Sequence, residues 1–346
     1  MTTPDDDRIA DVTDLEERLS RPTPEVVAAM GRLEGDLLIL GVSGKIGPTL
    51  ARMARRADAA AGRARRIVGV ARFSAPELRT QLESQGVETI SCDLLDRRAW
   101  AALPEVPNIL YLPAMKFGSS GREATTWAVN AYMAGLACER FPAARFAAYS
   151  TGNVYPLTPA GRGGSHETDP LGPVGEYAMS CLARERLFHF FSETRGTRVA
   201  LLRLNYAHEL RYGIMVDLAQ KILAEQPVDV TMGYFNAVWQ GDSNAMTLRA
   251  LEHAASPPRV FNLAGPEELS VRRVAEQLGR RLGKSVALVG EESPDALLSN
   301  GNAAYPLLGS PAIPPEQMLR WIADWTVRGG ATHGKPTHFQ TRNGKF

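Results

Sequence analysis

The feature that most constrains this chain is the run Leu37-Leu-Ile-Leu-Gly-Val-Ser-Gly-Lys-Ile-Gly47. Four apolar residues lead into glycines at 41, 44 and 47, and an Ala/Arg-rich stretch with helical character follows from Pro48 to Ala57. Strand, glycine turn and helix, in that order, are the context in which a turn cradles a pyrophosphate. Gly41 permits the tight turn, Gly44 lets backbone approach a phosphate, and Gly47 lets the helix lie against the strand. Ser43, Lys45 and Ile46 complete the loop. The helix behind them offers free N–H groups and a partial positive charge.

The pattern after the loop says what kind of fold carries it. Short apolar runs at 37–40, 66–71, 87–90, 108–112, 145–149 and 198–202 alternate with helical stretches at 46–57, 75–85, 121–141 and 176–194. Such alternation predicts an α/β protein of Rossmann type, a doubly wound parallel sheet with helices on both faces. Ligands of such sheets bind at the carboxyl ends of the strands, so residues just after each run are candidates. After the second run stands Ala71 where an NAD site usually has an acid, followed by Arg72 and Ser74, which suit a 2′-phosphate. The cofactor expected is therefore NAD(P), with NADP slightly favoured. Asp93 and Leu94 follow the third run, Lys116 the fourth, and the hydroxyls of Ser150 and Thr151 the fifth. Tyr177 opens the long helix that comes next.

Composition narrows the partners. A net charge of +1 without a long basic block gives no sign of nucleic acid or an anionic membrane. The acidic start does not resemble a secretion signal, and no apolar run reaches the ~20 residues needed to span a bilayer. Cys92, Cys138 and Cys181 form no paired motif, so neither a disulfide framework nor a metal site is expected. A cytoplasmic protein is the default reading.

At this point the residues resemble a known family. Gly41-Val-Ser-Gly44-Lys-Ile-Gly47, Asp93-Leu94, Asn130, Thr151, Tyr177, Trp239-Gln-Gly-Asp242, Val260–Gly265 and Trp321–Trp325 are similar to the landmarks of extended short-chain dehydrogenases/reductases, of the NAD-dependent epimerase/dehydratase kind. The resemblance implies an oxidoreductase or epimerase acting on a hydroxyl or carbonyl of a small sugar-like substrate. It implies Gly41, Ser43, Gly44, Lys45, Ile46, Gly47, Asp93, Leu94 and Tyr177 around the cofactor, with Thr151 and Tyr177 assisting proton transfer; Arg72 and Lys116 join them from their places after the second and fourth runs, Lys116 also as an auxiliary catalytic cation. It also implies a homodimer, built from the helices at 121–141 and 176–194.

Two departures matter. The lysine of the family's Tyr-x-x-x-Lys motif is Cys181 here, and the Asn of its Arg-x-x-Asn motif is displaced to Asn205. A thiol one helical turn from Tyr177 supplies no cation at neutral pH, and a tyrosine with a pKa near ~10 is then a poor base. Three accounts remain open. Lys116 or Arg184 replaces the cation, another group is the base, or the chain binds NAD(P) without catalysis as a sensor or partner-binding protein.

The expected domains are a helical extension at 1–35, a cofactor domain at 36–205, a smaller α-rich substrate lobe at 206–330 and a tail at 331–346. The extension is expected to pack outside the main domain. His166, Glu167, His208, Tyr234 and Trp239 are the candidates for the lobe's wall of the cleft.

Overall fold

Seven strands pair into one all-parallel sheet in the computed structural model, which describes residues 8–345 apart from Phe117 and Ser119. The ends of the expected extension and tail, residues 1–7 and Phe346, lie outside the described residues. The strands are β1 (Leu37–Leu40), β2 (Ile67–Ala71), β3 (Glu88–Ser91), β4 (Asn108–Tyr111), β5 (Arg145–Thr151), β6 (Arg198–Leu204) and β7 (Arg259–Leu263). Their order is β7-β6-β5-β4-β1-β2-β3. The chain reverses direction across the sheet between β1 and β4, where Leu37–Leu40 pair with Asn108–Tyr111. That reversal is the switch point at which such sheets bind ligands.

Burial on both sides explains the continuous apolar runs. Leu37 and Ile39 face one core with α2 (Pro24–Arg32) and α3 (Gly47–Ala60). Leu38 and Leu40 face the other, with α6 (Met133–Arg140) and α7 (Gly175–Arg195). Pro48 near the start of α3 fits the first helical turn, and Leu50, Met53, Ala54 and Ala57 give it one apolar stripe. A π turn at Ala128–Tyr132 joins α5 (Glu123–Trp127) to α6 and carries Asn130 inward.

One expectation needs correction. The expected lobe at 206–330 is not wholly separate from the sheet: β7 is a strand of the main sheet, with Val260 opposite Leu201, and α9 (Gln240–Ala250) packs on the same sheet through Ala245, Met246 and Leu248. The chain thus returns to the sheet after leaving it, because Val260-Phe-Asn-Leu263 is apolar enough to cover its edge. The N-terminal extension packs on α3 and α9 through the apolar faces of its two helices. α1 (Val12–Leu19), capped by Asp11, sinks Leu15 and Leu19 into the lobe core. α2, capped by Thr23, sinks Val26 and Met30 into the sheet core.

The lobe core forms where α8 (Ile214–Leu223), α10 (Val271–Leu282) and α12 (Pro315–Val327) meet around Leu218, Ile222, Val274, Leu278, Met318 and Ile322. Phe339, from the tail, is buried in the same core. Among the described residues no helix is long and apolar enough to cross a membrane.

Candidate active site

The glycine loop folds as its spacing requires. Gly41 has φ +78°, and its N–H donates to the Val70 carbonyl at 2.8 Å. A Cβ on Gly47 would lie 2.1 Å from the Val42 carbonyl oxygen, so only glycine lets α3 sit this close to the loop. Gly44 is different. A Cβ there would meet only the Gly41 carbonyl, at 3.4 Å, and the residue is exposed to the cleft. The α3 N-terminus next to it has no side-chain cap and no acid in its first turn. An open glycine before an uncapped helix end fits an approaching phosphate.

That loop forms the floor of a cleft of about 580 Å³ at the carboxyl edge of the sheet. Gly41, Ser43, Gly44, Lys45, Ile46, Gly47, Lys116, Thr151 and Tyr177 all line it. Lys45 crosses to the opposite wall, donating to the Ala207 carbonyl at 2.8 Å with its ammonium 4.3 Å from the centre of the Tyr212 ring. Arg72, Asp93 and Leu94 do not line the cleft. Arg72 is exposed at the end of β2, Asp93 accepts from the Leu95 N–H in a turn, and Leu94 is buried with its carbonyl on the Trp100 indole.

The reaction end of the cleft is set by β5 and α7. Thr151, the last residue of β5, hydrogen-bonds the phenol of Tyr177 on the first turn of α7. Burial pushes that phenol above its ordinary value, the Cys181 thiol beside it adds to the rise, and the Thr151 bond opposes it without prevailing. Cys181 is fully buried among Val154, Tyr155 and Tyr177, and burial pushes its thiol up as well. Tyr177 is thus held protonated, a donor rather than a base.

Of the two cations considered as substitutes, one is committed elsewhere. Arg184 is buried, with bonds to the Tyr149 carbonyl at 2.7 Å, the Asn130 carbonyl at 2.8 Å and the Asn130 side chain at 3.1 Å. Lys116 instead reaches the site, its ammonium 6.0 Å from the centre of the Tyr177 ring and 3.3 Å from the Thr337 carbonyl. Burial lowers its pKa to about 8, against the pull of Asp217. Asn130 fixes the loop that carries it, accepting from the Met115 N–H at 2.8 Å and donating to the Met115 carbonyl and to Ser180. Ser150 points away from Thr151, into a buried network in which Glu185 pairs with Arg203 and Arg203 holds the Tyr155 hydroxyl.

None of the five expected wall residues lines the cleft. His208 is buried, stacked on Phe235 and accepting from the Met215 N–H, while Trp239 packs on Trp321 in the lobe core. Tyr234 pairs with Ser270, and His166 and Glu167 sit in the loop around Asp169 and Asn262. The wall comes instead from Asn205, Tyr206, Ala207, Arg211 and Tyr212, together with Glu16 of α1 and His333 and Lys335 of the tail. A polar chain crosses the mouth there. Gln81 donates to Glu16 at 2.8 Å, Arg211 contacts Glu16 at 3.3 Å and Glu209 at 3.1 Å, and His333 lies 3.0 Å from Glu209. Glu16, His333 and Lys335 sit in segments whose sequence carries no periodicity or motif pointing to a cleft. Among the described residues no His, Cys, Asp and Glu cluster is arranged to hold a metal ion.

This loop and cleft define a dinucleotide-type Rossmann protein with a tyrosine-centred site at the sheet edge. The model of the NAD dependent epimerase/dehydratase family matches residues 37–228, more than half of the sequence, and the chain belongs to that family. Similar solved folds include a UDP-glucuronic acid 4-epimerase from Bacillus cereus in complex with UDP-glucuronic acid and NAD. It is 20% identical, with a TM-score of 0.71 over 85% of this chain and 99% of its own. A dTDP-glucose 4,6-dehydratase from Streptomyces venezuelae, with NAD and TYD bound, is 17% identical with a TM-score of 0.72 over 85% and 97%. A UDP-glucose 4-epimerase from Thermotoga maritima with UDP-glucose is 16% identical with a TM-score of 0.68 over 85% and 99%. No curated protein sequence gives a significant match.

Proposed function

We propose that this chain is a nicotinamide-dependent oxidoreductase or epimerase acting on a hydroxyl or carbonyl of a sugar-like small molecule. The observation that carries the reading is the convergence of Tyr177, Thr151 and Lys116 on a cleft floored by an open glycine loop. When bound, the nicotinamide would exchange hydride with the substrate carbon. Gly44 and the α3 N-terminus would hold the phosphates, with Lys45 above them. Tyr177 would give its proton to the substrate oxygen and Thr151 would orient that oxygen. Lys116 would supply the positive charge that Cys181 cannot.

In this reading residues 36–205, together with α9 and β7, carry the cofactor, the rest of 206–330 forms the substrate side, and Glu16 of α1 with His333 and Lys335 of the tail closes the cleft. NADP is favoured over NAD because no acid ends β2 and the exposed Arg72 guanidinium has no bonding partner among the described residues. Four of the exposed large apolar side chains, Trp127, Tyr132, Met179 and Phe190, lie along α5, the π turn and α7, at 36%, 50%, 45% and 54% exposure. A shared apolar face of this kind supports a homodimer through these helices. A cytoplasmic address accords with three free cysteines.

The second reading, a cofactor binder without turnover, is favoured by the raised phenol of Tyr177 and the thiol at 181. Tyr177→Phe decides between them. Proton transfer by a positioned side chain contributes about 10²–10⁴-fold, so on any substrate found the variant loses at least about 100-fold in kcat while still binding dinucleotide. Unchanged turnover would remove Tyr177 from the mechanism.

A further inference from the structure

One residue of the cleft wall is held in a conformation that its side chain disfavours. Tyr206, two residues past the end of β6, has φ +46°, a left-handed geometry that is strained for a bulky side chain. The backbone is pinned on both sides. The Asn205 N–H donates to the Leu263 carbonyl of β7 at 2.9 Å, and the Tyr206 carbonyl accepts from the His208 imidazole at 2.8 Å and from the Val238 N–H at 3.2 Å. The ring packs against the lobe core while the residue lines the cleft. Its hydroxyl makes no hydrogen bond among the described residues, and burial alone pushes the phenol's pKa up. Lys116 serves two phenols equally, its ammonium 6.0 Å from the centre of the Tyr206 ring and 6.0 Å from that of Tyr177. Two asparagines add to the open polar groups. Asn205 is 2% exposed and donates to the Asn236 side chain at 3.0 Å, but its own side-chain oxygen accepts nothing among the described residues. That oxygen lies against Gly152, where a Cβ would meet it at 3.0 Å. Asn153 accepts from the Thr151 hydroxyl at 3.1 Å, and its backbone N–H donates to the same hydroxyl at 3.2 Å, which leaves its side-chain nitrogen unbonded among the described residues. Both asparagines line the cleft.

Buried polar groups in proteins are almost always bonded, so open hydrogen-bonding capacity beside a strained residue marks a place where a ligand completes the bonding. The open groups here are a phenol, a carbonyl oxygen and an amide nitrogen. Together they offer donors and an acceptor and carry no charge. A hydroxyl matches that set because it both donates and accepts, whereas a carboxylate only accepts and would face the Asn205 oxygen. Tyr177 and Thr151 already address the reacting oxygen, so this hydroxyl belongs to a neighbouring carbon. We propose that Tyr206 is the specificity-determining residue of the site: its phenol, with the Asn205 oxygen and the Asn153 amide, binds a hydroxyl on the carbon beside the reacting one. The substrate is then an α-hydroxy ketone, or the vicinal diol to which it is reduced. The inference rests on the nicotinamide-dependent reading above.

The test uses the full chain with the reduced dinucleotide it binds and two probe ketones that differ by one hydroxyl, 2-hydroxycyclohexanone and cyclohexanone. Loss of dihydronicotinamide absorbance reports their reduction. The hydroxy ketone should be favoured by at least about tenfold in kcat/KM, because a site built to bond a hydroxyl is left with unpaired groups when the hydroxyl is missing. Tyr206→Phe should bring that ratio to within about twofold of unity. A merely structural role would lower both ketones together and keep the ratio, which is the result expected of Tyr177→Phe. Equal reduction of the two ketones by the unaltered chain overturns the proposal, and so does a preference that survives Tyr206→Phe. If a chain that binds dinucleotide reduces neither ketone, the proposal falls while the cofactor reading stands. If no dinucleotide binds at all, the underlying reading falls and takes this one with it.

Discussion

A methyl group added at Gly47 would collide with the Val42 carbonyl, whereas one added at Gly44 would fill only space facing the cleft. The two glycines look alike in the sequence, yet one serves the fold and the other a ligand. Gly47→Ala is expected to cost about 2 kcal/mol or more, because overpacked backbone must shift. Gly44→Ala is expected to leave the melting temperature of the free protein nearly unchanged and to weaken dinucleotide binding at least about tenfold, or ~1.4 kcal/mol. Thermal unfolding and titration of both variants separate the roles, and equal stability losses would undo the distinction. Lys116 has its own signature. Its ammonium is present below a pH of about 8 and is lost as pH rises through that value, where an ordinary lysine keeps its charge to ~10.4. Turnover that needs the cation should therefore fall above pH 8. Stability should move the other way between about 8 and 10.4, since there the unfolded chain binds the extra proton. Lys45, also lowered to about 8 by burial, would act on KM through the cofactor, so a decline in kcat absent from Lys116→Met marks Lys116. A kcat that stays flat past pH 9 would exclude it.

At the scale of elements, α5, the π turn, α6 and α7 form a layer that buries one side on the sheet and leaves Trp127, Tyr132, Met179 and Phe190 exposed on the other. Phe190→Glu should convert a dimer to a monomer in light scattering at unchanged melting temperature of the protomer. A monomeric unaltered protein would retire that face as an interface. The same elements show how much of the fold was legible in the sequence. Strands buried on both faces read as unbroken apolar runs, so β1, β2, β4, β5 and β6 stand within two residues of their expected bounds. β7 and α9 fall inside the expected lobe because one apolar run looks the same in either place, and only pairing of Val260 with Leu201 decides. The floor of the site was legible because a glycine loop is local chemistry. Its walls were not, because Glu16, Arg211 and His333 are brought together by contacts spanning most of the chain.

The molecule as a whole closes its cleft with both ends. α1 joins the lobe core and supplies Glu16 to the mouth, while the tail joins the same core through Phe339 and supplies His333 and the hold on Lys116. Everything in this architecture presumes a dinucleotide on the glycine loop, so the most direct measurement is thermal unfolding of the full chain with NAD+, NADH, NADP+ and NADPH at equal excess. A ligand at ~100 times its Kd adds about 2.7 kcal/mol. Melting temperature should rise clearly with these cofactors, more for the NADP forms, or a nucleotide already bound should be released on denaturation. No shift with any of the four, and no nucleotide released, would contradict a dinucleotide on that loop.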